Sequence, residues 1–439
     1  LTAIEYVAKA HVLGINLNLQ NVFDFPTVRS LCKTLGNGKK AGGSYEDREF
    51  ECYHRVLENN IIDDTFLPFK RSLGNILLTG ATGFLGVHVL ERLLQEETGK
   101  IYCLIRGEDG YDRLSRTFAF YYGNKYELKE RVVPVAGDVE QGGLADQLPQ
   151  NIQTVIHTAA SVKHYGPYDY FWNVNVEGTR NVIDYATSVG ARMIHISTLS
   201  VSGKDLTDAM TSCLQGAEKC FSETSLYIGQ ALDNVYIRSK FEAEMVVYDA
   251  MLKGLDAKVI RVGNLTNRVS DYKFQPNYRE NAFLKRIKAL LELGIFPDYL
   301  SSMQLEFSPV DQVAQGIVKI AQCADRQCVF HLNHPRAIDF ECFFESVRKS
   351  GIAVEAVEGE RFDARLQETA QNSGTEYIFE AFQNDTDEQG RLAYENNIRV
   401  KNDFTVWFLR KTGFEWKEIG VEYIMGYLEY FRRIGYFKV

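Results

Sequence analysis

Tyr236 and Lys240 stand four residues apart in YIRSK, so on a helix both side chains leave the same face. An ammonium beside a phenol favours the phenolate, drawing a pKa of about 10 toward the working range and making the tyrosine a proton carrier. In a chain with 24 tyrosines the spacing alone proves little. The run RMIHIST lies upstream, an apolar strand pattern that ends in the hydroxyls of Ser197 and Thr198. Open α/β sheets do their chemistry at the C-terminal ends of strands, so Thr198 is the hydroxyl expected to share a reacting oxygen with Tyr236.

A second constellation lies earlier. The continuous apolar run NILLTG is a buried parallel strand, and it passes through ATGFLG into a helical pattern. Gly80, Gly83 and Gly86 therefore occupy a strand-to-helix turn, with Thr82, Phe84 and Leu85 between and beside them. Gly80 permits the tight turn, Gly83 lets backbone amides approach a pyrophosphate, and Gly86 allows the helix to pack closely on the strand. About 20 residues further on, a dinucleotide fold reads the adenine ribose, with an acid for NAD and an arginine for the 2′-phosphate of NADP. Arg106 ends the strand pattern KIYCLI, and Arg113 follows on the next helix, so two guanidinium groups can converge on one phosphate. Glu108 and Asp109 nearby would suit NAD instead; the arginines favour NADPH. Asp138 and Val139 end a third strand near the adenine edge, and the small residues Ala159 and Ala160 end a fourth.

These positions need a scaffold. Strand patterns at KIYCLI, RVVPVAGD, TVIHTAAS and RMIHIST alternate with helical ones, which predicts a doubly wound parallel α/β sheet of the Rossmann type over residues 71–266. After about Asn267 helical patterns dominate, so 267–439 is expected to be a smaller, mainly helical substrate-binding domain. Ser308-Pro309-Val310-Asp311 reads as a helix start, with Ser308 as cap and Pro309 at the first helical position. Residues 1–36 form a small helical leader, and 37–70 a tether with a short helix. His157 and His195 lie in apolar strands and read as core; His164 reads as a packing or surface residue.

The bulk properties fit this picture. Forty-nine basic against 58 acidic residues leave a net charge of −9, without the basic concentration that a nucleic-acid partner requires. The eight cysteines show no metal-binding spacing, so no metal is expected, and they suit a reducing cytoplasm. No apolar run has the length for a membrane span.

TGATGFLG, NVEGT, HIST, YIRSK and RVGNLTNR together resemble the extended short-chain dehydrogenases, and among them the terminal thioester reductase domains of nonribosomal peptide synthetases, from about Asn75 to Ala321. The resemblance implies Thr198, Tyr236 and Lys240 as the catalytic triad, Asn175 as a supporting amide, and Asn264 at the nicotinamide end, where Val262 replaces the proline frequent in the family. It also implies NADPH-dependent release of a carrier-bound acyl or peptidyl thioester as an aldehyde, or further to an alcohol. The leader resembles the end of a phosphopantetheine carrier domain, whose modified serine would fall just before Leu1. A nucleotide-sugar epimerase or dehydratase shares the triad, and a non-enzymatic NADP-sensing module is the alternative of another class.

Overall fold

The computed structural model describes residues 50–203, 219–371, 375–382 and 398–437 continuously, with 19–37 and the single positions 6, 7, 10, 15, 17, 45, 205 and 206 besides. Cys213 and residues 38–44 and 46–49 of the expected tether lie outside the described residues; the seven described cysteines are free thiols.

Seven parallel strands form the central sheet: β1 (Ile76–Thr79), β2 (Ile101–Ile105), β3 (Val132–Ala136), β4 (Thr154–His157), β5 (Arg192–Thr198), β6 (Ala257–Val262) and β7 (Val329–Leu332). Their order is β7-β6-β5-β4-β1-β2-β3, so the winding reverses between β1 and β4. That reversal opens a crevice at the carboxyl edge, where ligands of such sheets bind. β1, β4, β5, β6 and β7 are buried along their whole length, because helices cover both faces and each side chain must be tolerated by one core or the other.

Helix α1 (Phe84–Glu96) follows β1 and buries Val87, Val89, Leu90 and Leu93 completely. Helix α2 (Gly110–Tyr122) follows β2, α3 (Gly178–Ser188) precedes β5, α4 (Val235–Leu252) precedes β6, and α5 (Val310–Ala321) packs along α1. The sheet thus does not end near residue 266. β7 and α5 come from the region expected to be a separate helical domain, and they complete the first core. A four-residue strand among helical patterns carries too little periodicity to be read.

The remaining C-terminal residues build a second core around Phe296, Phe307, Phe343, Phe344, Tyr427 and Phe431, including α6 (Phe340–Lys349) and α7 (Val421–Arg433). Several two- and three-residue strands accompany its helices. Phe84, the first residue of α1, packs against both cores and meets Phe274 of the second core edge-on at 5.0 Å. The helix that follows the glycine turn is therefore anchored to the second core as well as to the sheet.

In the leader, Leu19–Asp24 and Val28–Asn37 are helical, and Val7, Ala10, Leu17, Leu19 and Leu31 form a small core of their own. The second of these helices restarts after Pro26, as its sequence predicts, with Thr27 Oγ1 accepting from the Ser30 amide.

Candidate active site

The glycine turn is built as its spacing requires. Gly80 has φ +73°, and a Cβ there would collide with Thr158 and the Ala159 amide. A Cβ on Gly86 would run into the Gly80 carbonyl, so only glycine lets α1 approach β1 this closely. Gly83 is the N-cap residue of α1 and offers no side-chain cap, leaving the first-turn amides of a 13-residue helix directed outward at the sheet's carboxyl edge. Thr82, Phe84 and Leu85 line the same turn. Thr79 Oγ1 ties it to β4, accepting from the Ala159 amide at 3.2 Å and pairing with His157 Nδ1 at 2.8 Å. These residues fit the pyrophosphate of a dinucleotide: a cradle free of Cβ atoms with unspent N–H groups at a helix start.

Arg106 and Arg113 come together just past β2. Arg113 donates to the Arg106 carbonyl at 2.6 Å and to Asp109 Oδ1 at 3.2 Å, while the Arg106 side chain is exposed. Asp109 is thus engaged by an arginine. Asp138 folds back to accept from the Glu140 amide at 3.1 Å, and Val139 is buried against Gly178. Ala159 and Ala160, both partly buried, sit at the end of β4 beside the turn.

Thr198 is the last residue of β5, and Tyr236 and Lys240 lie on the first turns of α4. Asn234 caps that helix, its Oδ1 accepting from the amides of Tyr236 (2.9 Å) and Ile237 (3.2 Å). Burial raises the Tyr236 phenol above its ordinary 10.0, and the Thr198 hydroxyl opposes it less strongly; Thr198 Oγ1 itself donates to Ser200 Oγ at 3.2 Å. The expectation that Lys240 draws the phenol down is not met here. Lys240 instead donates to the Ile196 carbonyl at 2.7 Å and lies 3.5 Å from His195 Nε2. Burial pushes its ammonium down to about 8, with Glu244 opposing.

Asn175 falls in a six-residue π-helical turn, Trp172–Glu177, running into α3. Its amide accepts from the Ser161 N–H at 2.8 Å and donates to the Ser161 carbonyl (3.1 Å) and to Ser239 Oγ (2.9 Å), joining β4's end to α4. Asn264 turns its amide nitrogen to the Glu306 carbonyl at 3.1 Å, and its own N–H is held by Glu306 Oε1 at 2.9 Å. Ser308 does not cap α5. It pairs in a short strand with Leu265, its Oγ donating to Glu306 Oε1 at 2.8 Å, and Pro309 takes the cap position.

His157 is a satisfied core residue, between Thr79 and Thr179 Oγ1 (3.2 Å), and burial lowers its pKa to about 3. His195 is equally buried but keeps Nδ1 without a partner. His164, read as a packing or surface residue, is exposed yet lies edge-on to Tyr236 at 5.5 Å.

Three supporting residues escaped the sequence reading. Glu244, one turn beyond Lys240, accepts from Ser197 Oγ at 2.5 Å and from Arg261 Nη2 at 2.7 Å, with both partners buried. Arg261 also reaches His331 Nε2 at 3.1 Å, so this ion pair ties α4 to β5, β6 and β7 beneath the site. Asn234 is the third; an asparagine just ahead of a helical pattern was the available signal.

The profile of the male sterility protein family, an NAD-binding domain, matches residues 78–317, more than half of the chain. The chain belongs to this family. It is 27% identical to a linear gramicidin synthase of Brevibacillus parabrevis over 97% of its own length and 8% of that protein. With the L-2-aminoadipate reductase of Candida glabrata it shares 28% identity, over 81% of this chain and 28% of the relative. The chain thus spans well under a third of these curated relatives. Among solved structures, the thiolation-reductase di-domain of an archaeal nonribosomal peptide synthetase superposes with a TM-score of 0.86 at 31% identity, covering 99% of this chain and 91% of that one.

Proposed function

We propose that this chain reduces a carrier-bound acyl or peptidyl thioester to an aldehyde with NADPH. One observation carries the reading: Thr198 ends β5 and Tyr236 lies on the first turn of α4 at the carboxyl edge of the sheet that also holds the glycine cradle, with the Thr198 hydroxyl favouring the Tyr236 phenolate. Relatives that include an aminoadipate reductase and a thiolation-reductase di-domain support it.

When bound, the nicotinamide supplies the hydride. Gly80, Thr82, Gly83, Phe84, Leu85 and Gly86 would hold the pyrophosphate, and Arg106 with Arg113 would hold the 2′-phosphate, which would favour NADPH over NADH. Asp138, Val139, Ala159, Ala160 and Asn264 border the remaining cofactor surface. Thr198 and Tyr236 donate hydrogen bonds to the thioester oxygen as it gains charge, which is the largest contribution such groups make. Tyr236 delivers the proton, and Lys240 keeps a positive charge behind it while fixing the strand end through Ile196. Asn175 holds the Ser161 backbone and Ser239 in place. Collapse of the resulting hemithioacetal breaks the C–S bond and releases the thiol and the aldehyde; one thioester and one NADPH are consumed with one proton. A second round on the aldehyde would give the alcohol.

Residues 71–266 with β7 and α5 would carry the cofactor, and the second core would shape the substrate entrance. Incubating the chain with NADPH and an N-acetylcysteamine thioester, with mass spectrometry of the products, tests the reading. Aldehyde together with free thiol is expected. Conversion of a nucleotide sugar without thioester reduction would put the chain among the epimerases.

A further inference from the structure

Among the described residues, the leader rests on the body at a place that leads directly to Tyr236. Gln20 pairs with the backbone of Gly166 in both directions: its Nε2 donates to the Gly166 carbonyl at 3.1 Å, and its Oε1 accepts the Gly166 N–H at 3.3 Å. Phe23, one turn along, stacks on Tyr165 with ring centroids 6.3 Å apart and planes 19° from parallel. A two-way amide pairing with a glycine backbone, flanked by stacked rings, is a specific grip rather than incidental packing.

The gripped loop, residues 162–167, is exposed apart from Gly166, and Val162 is 64% exposed beside it. Its other side belongs to the catalytic helix. The His164 carbonyl accepts from Asn234 Nδ2 at 3.1 Å, and the His164 ring meets Tyr236 edge-on. Asn234 is the residue whose Oδ1 caps α4 at Tyr236 and Ile237. Just beyond the loop, Arg238 of the same helix lies over the Tyr168 ring at 4.8 Å. One amide side chain thus holds the loop with its nitrogen and the first turn of the catalytic helix with its oxygen.

We propose that the 162–167 loop is the docking lip for a phosphopantetheine carrier domain, gripped by Gln20 and Phe23, and that Asn234 transmits this grip to the helix turn bearing Tyr236. The proposal rests on reading residues 1–36 as a carrier segment and deepens the proposed function by naming where the carrier sits. The contact orders the proton donor when a carrier is seated and loosens it when the seat is empty. Asn234 and His164 are positioning residues in this scheme.

Hydrogen exchange of the full chain, read by mass spectrometry, tests it without any turnover. In the Gln20→Ala/Phe23→Ala double variant, the amides of 162–166 should exchange roughly tenfold faster, as expected for losing one hydrogen-bonded grip. The amides of Tyr236 and Ile237 should accelerate several-fold, while those in the middle of α4 stay at parental rates. Phe23→Trp, which keeps a stacking ring, should restore most of the protection. An unchanged lip overturns the docking claim; a faster lip with an unchanged helix start overturns the transmission by Asn234. A phosphopantetheinylated carrier domain added in trans should bind the double variant, whose lip is vacated, at least about tenfold more tightly than the parent by calorimetry. Equal binding to both would show that the lip is not a carrier's seat. A chain that fails to reduce any soluble thioester would end the proposed function while leaving the exchange result intact.

Discussion

Lys240 directs its ammonium at the Ile196 carbonyl, 2.7 Å away on the strand that ends in Thr198. Burial lowers this lysine to about 8 from its ordinary 10.5. The charge behind Tyr236 is therefore present below pH 8 and lost above it, so kcat/KM for thioester reduction should fall by up to about tenfold per pH unit beyond that point. Stability moves the other way. The unfolded chain binds this proton up to 10.5 and the folded chain only to about 8, so folding gains from rising pH across that window. Urea titrations of the parent and of Lys240→Met between those limits should show the parent gaining relative to the variant, and parallel curves would contradict the assignment.

Tyr236→Phe removes only a hydroxyl. Cofactor affinity should survive while aldehyde formation drops by roughly 10²–10⁴-fold, the range for losing a general acid. Lys240→Ala should weaken both, because it also frees the strand end at Ile196. Fluorescence titration with NADPH alongside product analysis separates the two effects, and near-parental turnover by Tyr236→Phe would move the proton donor elsewhere.

Arg106 and Arg113 share one loop, with Arg113 already bound to the Arg106 backbone. Replacing both with alanine should erase most of the preference for NADPH over NADH, seen as convergence of the two kcat/KM values. A parent chain that uses both cofactors equally would leave these arginines as surface charges.

Glu244 and Arg261 are both fully buried and paired at 2.7 Å. Glu244→Gln leaves a guanidinium in the core without its counter-charge, and breaking such a pair costs about 3–5 kcal/mol. Chemical denaturation should register that loss even in chain saturated with NADPH. Asn234→Ala, which removes both the helix cap and the bond to the His164 carbonyl, should cost about 1 kcal/mol or somewhat more by the same measurement, and Asn234→Asp less, since aspartate keeps the cap while losing the bond to His164.

The glycine turn was legible because its requirement is local: the positive φ of Gly80 and the close pass at Gly86 are met by residue type alone. Thr198, Tyr236 and Lys240 were legible through their order along alternating elements. What stayed hidden depends on contacts between segments far apart in sequence. His164 is exposed, as a packing or surface reading allows, but its ring contact with Tyr236 was hidden because Tyr236 lies 72 positions away on another element. Ser308 looked like a cap because Ser-Pro before an apolar run is a helix signal; its hydroxyl is taken instead by Glu306, whose role no local pattern announces. The fall in the phenol's pKa expected from Tyr-x-x-x-Lys fails for a similar reason, since burial is a property of the whole fold.

The π-helical turn at Trp172–Glu177 holds one more residue than an ordinary helical turn would. Deleting a single position there, such as Val174, would let the backbone close as a regular α-helix, an easier conformation in isolation. Because the wide turn absorbs that residue, the same deletion would leave the following helix in place while re-aiming the side chains within the turn. Asn175 would then face away from Ser161 and Ser239, and β4's end would lose its tie to the catalytic helix. This stretch should accordingly accept many changes of residue type and almost no change of length, so that chain length itself acts there as a functional constraint.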